Sequence, residues 1–328
     1  KMKETEMIGP TIRNLIKMDL KPLDILTKES FINAIKLLSI VGGSTNAVIH
    51  LLAIAKLAKI DLTLEDFEKY QYTPVLTNMK PHGKYVMDDL SKIGGTSTII
   101  KYLINENIID GSGITVTGKT LSENVEDIEI PKKFEEIVYP IDYPFKIKSH
   151  ISILKGNLAP NGCLSKVSSY KTYFRVGVKV FNSEKEMLAA LKEDKISRYN
   201  LVVIRYQGET VGCPEMLAPT SALIGYFGKN PPPIATDGRF SGGSHGVLIA
   251  HLPDAYKKDS ITKYLEDGDV VELDLLNNKI TMKISDKELL KREEKYKIPE
   301  SVKDFQKSGY LGKYQKLVGN IENGFYTY

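Results

Sequence analysis

Tryptophan is absent from these 328 residues, and cysteine occurs only twice, at Cys163 and Cys213. Nothing about function follows from the first absence. The second excludes a disulfide-stapled scaffold and fits a reducing compartment, since the two thiols stand in no paired spacing. No apolar run approaches the roughly 20 residues needed to cross a bilayer, and no charged-then-apolar leader opens the sequence, so neither membrane insertion nor secretion is expected. A bias of charge is missing too. The 45 basic and 41 acidic residues leave a formal +4, and they are interspersed, which reads as solvated surface and argues against a nucleic-acid stripe. Repeats and low-complexity tracts are not evident. With 42% apolar and 26% charged residues, usage is that of an ordinary globular chain long enough for two cores.

The first part of the chain reads as helical and mixed. Ser44 or Thr45 caps a helix whose apolar positions Val48, Leu51, Leu52, Ile54, Ala55 and Ala58 recur at helical spacing. A second helix is expected over about 87–105, broken at Gly94 and Gly95. Pro131, Pro140 and Pro144 fall in a charged, tyrosine-bearing stretch at about 125–145. That stretch marks a linker, and the domains are placed at 1–128 and 129–328. Beyond it, β-branched runs predict strands over 151–154, 175–181, 201–205, 270–275 and 280–284, with Asn277-Asn278 as a hairpin turn between the last two. Ser183 followed by Glu186 has the spacing of a helix-starting capping box, and the Lys/Glu-rich stretch 286–297 reads as an exposed helix.

The most informative run is Ala235-Thr236-Asp237-Gly238-Arg239-Phe240-Ser241-Gly242-Gly243-Ser244-His245-Gly246, which comes after an apolar, strand-like lead. Its glycines let a ligand approach the main chain, and successive amides can form an anion-binding nest around Ser241. A tight glycine turn joining two elements is the other reading. The GxGxxG and Walker spacings are absent here, and Lys119 in Val116-Thr117-Gly118-Lys119-Thr120 lacks the upstream glycine of a phosphate loop. Arg239 offers a planar fork to a carboxylate, or else pairs internally with Asp237 or another acid. His50 reads as a packed core histidine and His82 as a surface-loop residue.

Six ordered blocks carry a resemblance. They are Gly42-Gly43-Ser44-Thr45-Asn46-Ala47-Val48-Ile49-His50-Leu51-Leu52, Lys80-Pro81-His82-Gly83-Lys84-Tyr85-Val86-Met87-Asp88-Asp89-Leu90 and Thr115-Val116-Thr117-Gly118-Lys119-Thr120-Leu121-Ser122-Glu123-Asn124, then Gly156-Asn157-Leu158-Ala159-Pro160-Asn161-Gly162, Pro214-Glu215-Met216-Leu217-Ala218-Pro219-Thr220-Ser221-Ala222 and the Ser241 run. Together they resemble the dihydroxy-acid dehydratase and 6-phosphogluconate dehydratase family, and the second and third blocks look more like the dihydroxy-acid branch. The resemblance implies an α/β fold, the end of an α/β catalytic domain followed by a β-barrel-like swivelling domain. It covers about the C-terminal three-fifths of such an enzyme. With a first residue of Lys1, the expectation is a piece that carries half an active site and is inactive by itself.

Members of this family dehydrate 2,3-dihydroxy carboxylic acids to 2-keto acids, in the dihydroxy-acid branch for valine, isoleucine and leucine synthesis. The chemistry needs removal of a weakly acidic C2 proton and departure of the C3 hydroxyl. By the resemblance Ser241 is the base, acting as an alkoxide, Glu215 is a Mg²⁺ ligand, and Arg239, Gly242 and His245 belong to substrate binding. The segment Glu209-Thr210-Val211-Gly212-Cys213-Pro214 is two residues shorter than the family's usual loop and lacks its lysine. The implied cofactors are Mg²⁺ and an iron–sulfur cluster, [2Fe–2S] or [4Fe–4S]. The cluster ligands are absent from this chain, because a cluster takes three or four thiolates, and the family commonly has alanine and methionine where Cys163 and Cys213 stand. The implied partners are a small dihydroxy acid and either a second copy in a homodimer or the missing N-terminal half. A cytoplasmic location is expected, or an organelle matrix in a eukaryote. A sugar-acid dehydratase of the same family and a non-catalytic subunit or degenerate paralogue remain alternatives.

Overall fold

The computed structural model describes residues 5–168, 171–303 and 308–327. Contacts divide the chain into two units, one made of the residues up to Gly42 with Ile54–Ser149, the other of Gly43–Ala53 with His150 onward. In the first unit, Ser30 N donates to Thr27 Oγ1 at 3.2 Å and Thr27 N to Ser30 Oγ at 3.0 Å. This exchange satisfies amides that the first turn of helix Lys28–Val41 leaves free. Gly42, at φ 69°, ends the helix in the left-handed conformation. Helices Met87–Lys92 and Gly95–Asn105 are the two expected pieces, parted at Gly94. Leu90, Ile99 and Leu103 from them, with Ile93 from the link between, pack with Ile40, Leu76, Phe134 and Ile137 as this unit's core.

The second unit is built on eight strands: β1 Ile151–Gly156, β2 Ala159–Val167, β3 Tyr173–Phe181, β4 Asn200–Ile204, β5 Ile234–Thr236, β6 Val247–Ala250, β7 Val270–Asp274 and β8 Lys279–Met282. They close into one mixed barrel in the order β1-β2-β6-β5-β4-β3-β7-β8. β3, β4, β5 and β6 run parallel, and helices Glu184–Lys192 and Leu217–Phe227 make the crossovers. Leu201, Val202, Val203 and Ile204 are all fully buried, because a parallel strand covered on both faces needs apolar side chains on both. Leu154, Cys163, Val203, Ala235, Ile249, Val271, Leu273, Ile280 and Met282 meet in the barrel core.

This overturns the expected fold class. The chain is a closed eight-stranded mixed barrel with helices, and no α/β catalytic portion precedes the barrel among the described residues. Extended stretches such as Val75–Thr77 form only isolated bridges, Val75↔Lys146 and Thr77↔Val138. A single bridge leaves no ladder to propagate, so these stretches build no sheet. The β-α-β alternation that a doubly wound fold would show sits inside the barrel instead. Of the expected helices, the one at Ser183 is capped as predicted, with Ser183 Oγ accepting from Glu186 N at 3.1 Å. Helix Asp286–Lys295 buries no residue.

Closure depends on a short seam. β1 and β8 share one register pair, Lys155↔Lys279, and Asn157 extends it with its side chain. Its Nδ2 donates to Met282 O at 2.8 Å, and Met282 N donates to its Oδ1 at 2.8 Å, so one amide group does the work of a strand residue. At the neighbouring Gly156, a Cβ would lie 1.9 Å from Ile280 O, so only glycine lets the two backbones meet there. Asn157→Ala removes both bonds and leaves the Met282 amide unsatisfied, which should lower stability by about 1–3 kcal/mol in a denaturant titration. An unchanged midpoint would show that the seam closes without it.

Candidate functional site

Because β4 and β5 are parallel neighbours, paired from Val202↔Ile234 to Ile204↔Thr236, the segments after them leave from the same end of the barrel. Asp237, fully buried, comes directly after β5. Its Oδ2 accepts from Tyr206 N at 2.9 Å and Ala255 N at 3.0 Å, and its Oδ1 from Gln207 N at 2.8 Å. Burial, with Asp254 adding its charge, pushes the Asp237 carboxyl pKa up against the pull of those three amides. At Gly238 a Cβ would meet Pro214 O at 2.8 Å, so the two loops touch backbone to backbone.

The turn beyond carries Ser241, half-buried, its hydroxyl bonded to no described residue. Phe240, fully buried, anchors one side of it, and Ser244 N closes the turn on Ser241 O at 3.1 Å. β2 and the residue that follows it hold the rest. Lys166, 1% exposed, donates from Nζ to Gly242 O, and Gly246 N donates to Ser168 Oγ at 2.6 Å. On the other side, a Cβ at Gly242 would lie 3.3 Å from Ser44 Cβ. Ser44 is the residue before helix Thr45–Leu57, and its Oγ accepts from Asn46 N at 3.2 Å.

Glu215 joins this group through a backbone bridge to Arg239, with Met216 N donating to Arg239 O at 2.7 Å and Arg239 N to Pro214 O at 3.0 Å. Its exposed carboxylate accepts from Asn46 Nδ2. Arg239 pairs with neither Asp237 nor another acid among the described residues, and its Nε donates to Cys213 O at 2.6 Å. Thr45 Oγ1, Asn46 Oδ1 and Ser244 Oγ are buried atoms without a hydrogen-bond partner among the described residues. Buried polar atoms are normally satisfied, so these three call for a partner such as an ordered water or a bound polar group.

Behind the loop lies a neutral pair. Cys213 Sγ is 3.7 Å from His251 Nδ1, both residues at positive φ. Burial pushes the thiol well up and the imidazole down to about 3, the Arg239 charge adding to the latter. Without a thiolate or an imidazolium, the pair is no nucleophile. Nearby, burial and Asp254 raise the pKa of Glu209, which Lys257 opposes from 2.6 Å.

Ser241, Gly242, Arg239 and Glu215, singled out from the sequence, are thus brought to one place, while His245 is exposed at the loop's edge. His50 is exposed, not core, since it faces away from the buried Val48, Ile49 and Leu52 on its helix, and His82 is half-buried. Sequence reasoning missed Lys166, Ser44 and the amide-binding role of Asp237. No local signal points to the lysine, since residues 162–166 of β2 are buried without alternation. As for cofactors, no three His, Cys, Asp or Glu side chains among the described residues cluster to hold a metal. Glu215 fits as one hard oxygen ligand for Mg²⁺. The thiols do not fit a cluster: Cys163 lies in the barrel core with its pKa raised by burial, and Cys213 stands against His251.

The family model for the dihydroxy-acid/6-phosphogluconate dehydratase C-terminal domain matches residues 136–325, and that for the N-terminal domain matches residues 1–124. The chain belongs to this dehydratase family. It is 43% identical to the dihydroxy-acid dehydratase of Francisella tularensis subsp. novicida, over all of this chain and 59% of that protein. It is 40% identical to that of Lactococcus lactis subsp. lactis, over all of this chain and 58% of the relative. With the mitochondrial dihydroxy-acid dehydratase of Saccharomyces cerevisiae it shares 41%, over 99% of this chain and 56% of the relative. The chain spans about three-fifths of the length of these relatives. No helix among the described residues is long and apolar enough to cross a membrane.

With both thiols buried, a thiol reagent at pH 8 should label neither Cys163 nor Cys213 until denaturant is added. The purified chain should also be colourless and hold no iron after reconstitution. Stoichiometric iron would mean ligands other than these two thiols.

Proposed function

We propose that this chain carries the proton-abstracting side of an active site that dehydrates 2,3-dihydroxy carboxylic acids to 2-keto acids, as in branched-chain amino-acid synthesis. The observation that carries the reading is the Ser241 hydroxyl, without a hydrogen-bond partner among the described residues, on a turn braced through Gly242 by Lys166 and Ser44. The names of the relatives support the substrate class. In this reading Ser241 takes the C2 proton, and the enol left by loss of the C3 hydroxyl collapses to the 2-keto acid. A serine hydroxyl is a weak base, and its alkoxide forms only where positive charge and amide dipoles surround it. In this reading the amide dipoles of the glycine turn and the Lys166 charge, which reaches the turn at the Gly242 carbonyl, would supply both. Glu215, oriented by Asn46, would hold Mg²⁺, which when bound supplies positive charge to the substrate carboxylate and C2 oxygen. Arg239, Gly242 and His245 border the same space for substrate binding. The group that assists departure of the C3 hydroxyl is assigned to no residue of this chain, so activity is expected only when the cluster-bearing part is joined to it, on the same or a partner chain.

Two measurements test this. In the complete, metal-loaded enzyme Ser241→Ala should cost roughly 10²–10⁴ in turnover while leaving the fold intact; more than about a tenth of the activity retained would reject Ser241 as the base. Glu215→Gln keeps the size and removes the charge, so the Mg²⁺ titration should shift to higher concentration, with partial rescue by added metal. If the titration is superimposable on the wild type, Glu215 is not a ligand.

A further inference from the structure

Lys166 presents a cost that the barrel does not explain. Its backbone is fixed on both sides, opposite Ile151 on β1 and Leu248 on β6, so its Cα is as rigid as any in the barrel. Its side chain is 1% exposed, yet the ammonium makes no ion pair among the described residues and spends one of its three N–H donors on Gly242 O. Burial pulls its pKa down to about 8, a measure of how poorly the charge is compensated. An apolar side chain of the same length would serve barrel stability as well or better. Ser168, the residue just past the end of β2, grips the other end of the turn. Ser168 N donates to Gly246 O at 2.9 Å, and Ser168 Oγ takes the Gly246 amide. Ser44 then blocks the free side of Gly242. β2 and the residue that follows it therefore hold the turn at two points four residues apart, with Ser241 just before the first.

We propose that Lys166 is a positioning residue for Ser241: from the rigid strand β2 its ammonium clamps the Gly242 carbonyl and so fixes the backbone that presents the Ser241 hydroxyl. This rests on the reading that the Ser241 turn carries the reacting group. A helix dipole or a neutral side chain would hold a carbonyl less firmly, because a charged donor makes the stronger hydrogen bond. The side chain acts through Gly242 and needs no contact with substrate.

The test is amide hydrogen exchange on the 328-residue chain. Lys166→Met should raise exchange about tenfold or more at residues 242–246 and leave β7 and β8 protected, with a melting temperature equal to or above that of the wild type. A fold-supporting residue would do the reverse. Unchanged exchange at 242–246 overturns the proposal, and so does lower melting with exchange raised along every strand. Should the Met variant not accumulate folded, Lys166→Gln decides by the same criteria. In the metal-loaded enzyme, Lys166→Met should lower kcat about tenfold or more with KM within about twofold. Ser241→Ala should leave the exchange pattern as it is. Turnover retained in that variant would sink the base assignment while leaving the clamp standing, whereas an unaltered turn in Lys166→Met sinks the clamp alone.

Discussion

The Asp237 carboxylate is fully buried, and three backbone amides converge on its two oxygens, from Tyr206, Gln207 and Ala255. Two of these amides lie just past β4 and the third beyond β6, so one side chain draws together the chain that leaves three parallel strands. A buried carboxylate is tolerated only where such donors compensate it, each charge-assisted bond contributing about 1.5–3 kcal/mol. The same anchorage constrains the residues next along the chain. With Asp237 pinned, Gly238 must pass within contact of the Pro214 carbonyl, Arg239 is bridged to Glu215, and the chain cannot turn until Ser241. The spacing of this run is thereby a consequence of where the carboxylate is held.

Placement at this end of the barrel results from strand direction. Loops after parallel neighbours share an end, and the carboxyl ends of parallel strands are where open α/β sheets gather their ligand groups. A closed mixed barrel keeps that property along its parallel arc β3-β4-β5-β6, although β2 and β7 run antiparallel to their neighbours. Segment Gly43–Ala53, distant in sequence, groups with the same unit and adds Ser44 and the amide of Asn46. The barrel fixes position; the grafted segment adds the polar groups that its own loops lack.

Legibility in the sequence divided along the same lines. Strands with β-branched runs, β1, β3, β4, β7 and β8, were readable, as was the Asn277-Asn278 hairpin, which pairs Leu273 with Ile280. β2 was not. It starts Ala159-Pro160-Asn161-Gly162, residues that signal a turn, and it is a strand only because β1 and β6 flank it. β6, at four residues, is too short for periodicity to show. The expected fold class failed because the resemblance implied an α/β catalytic portion ahead of the barrel, whereas every strand among the described residues belongs to the barrel. For the site, the glycine run exposed Ser241 because its chemistry is local. Lys166 was illegible because its role is tertiary: a lysine reads as surface until the partner carbonyl, 76 residues on, is in place. The Gly156-Asn157 block misled in the opposite direction, a family signature whose residues close the barrel seam.

The donor chemistry of the assembled site is one-sided. It offers a hydroxyl, a carboxylate, an ammonium, a guanidinium and unmatched hydroxyl and amide oxygens, all hard groups suited to oxygen-rich anions and hard cations. Soft donors are withdrawn from it: Cys163 faces the barrel core, and Cys213 is held as a neutral thiol against a neutral imidazole. Removing a proton from carbon beside a carboxylate calls for the first set, and expelling a hydroxide calls for a Lewis acid opposite the base. In the proposed reading, the Ser241 turn, clamped from β2 and with no soft ligand on its own side, supplies the base to an active site whose second face comes from another part of the enzyme.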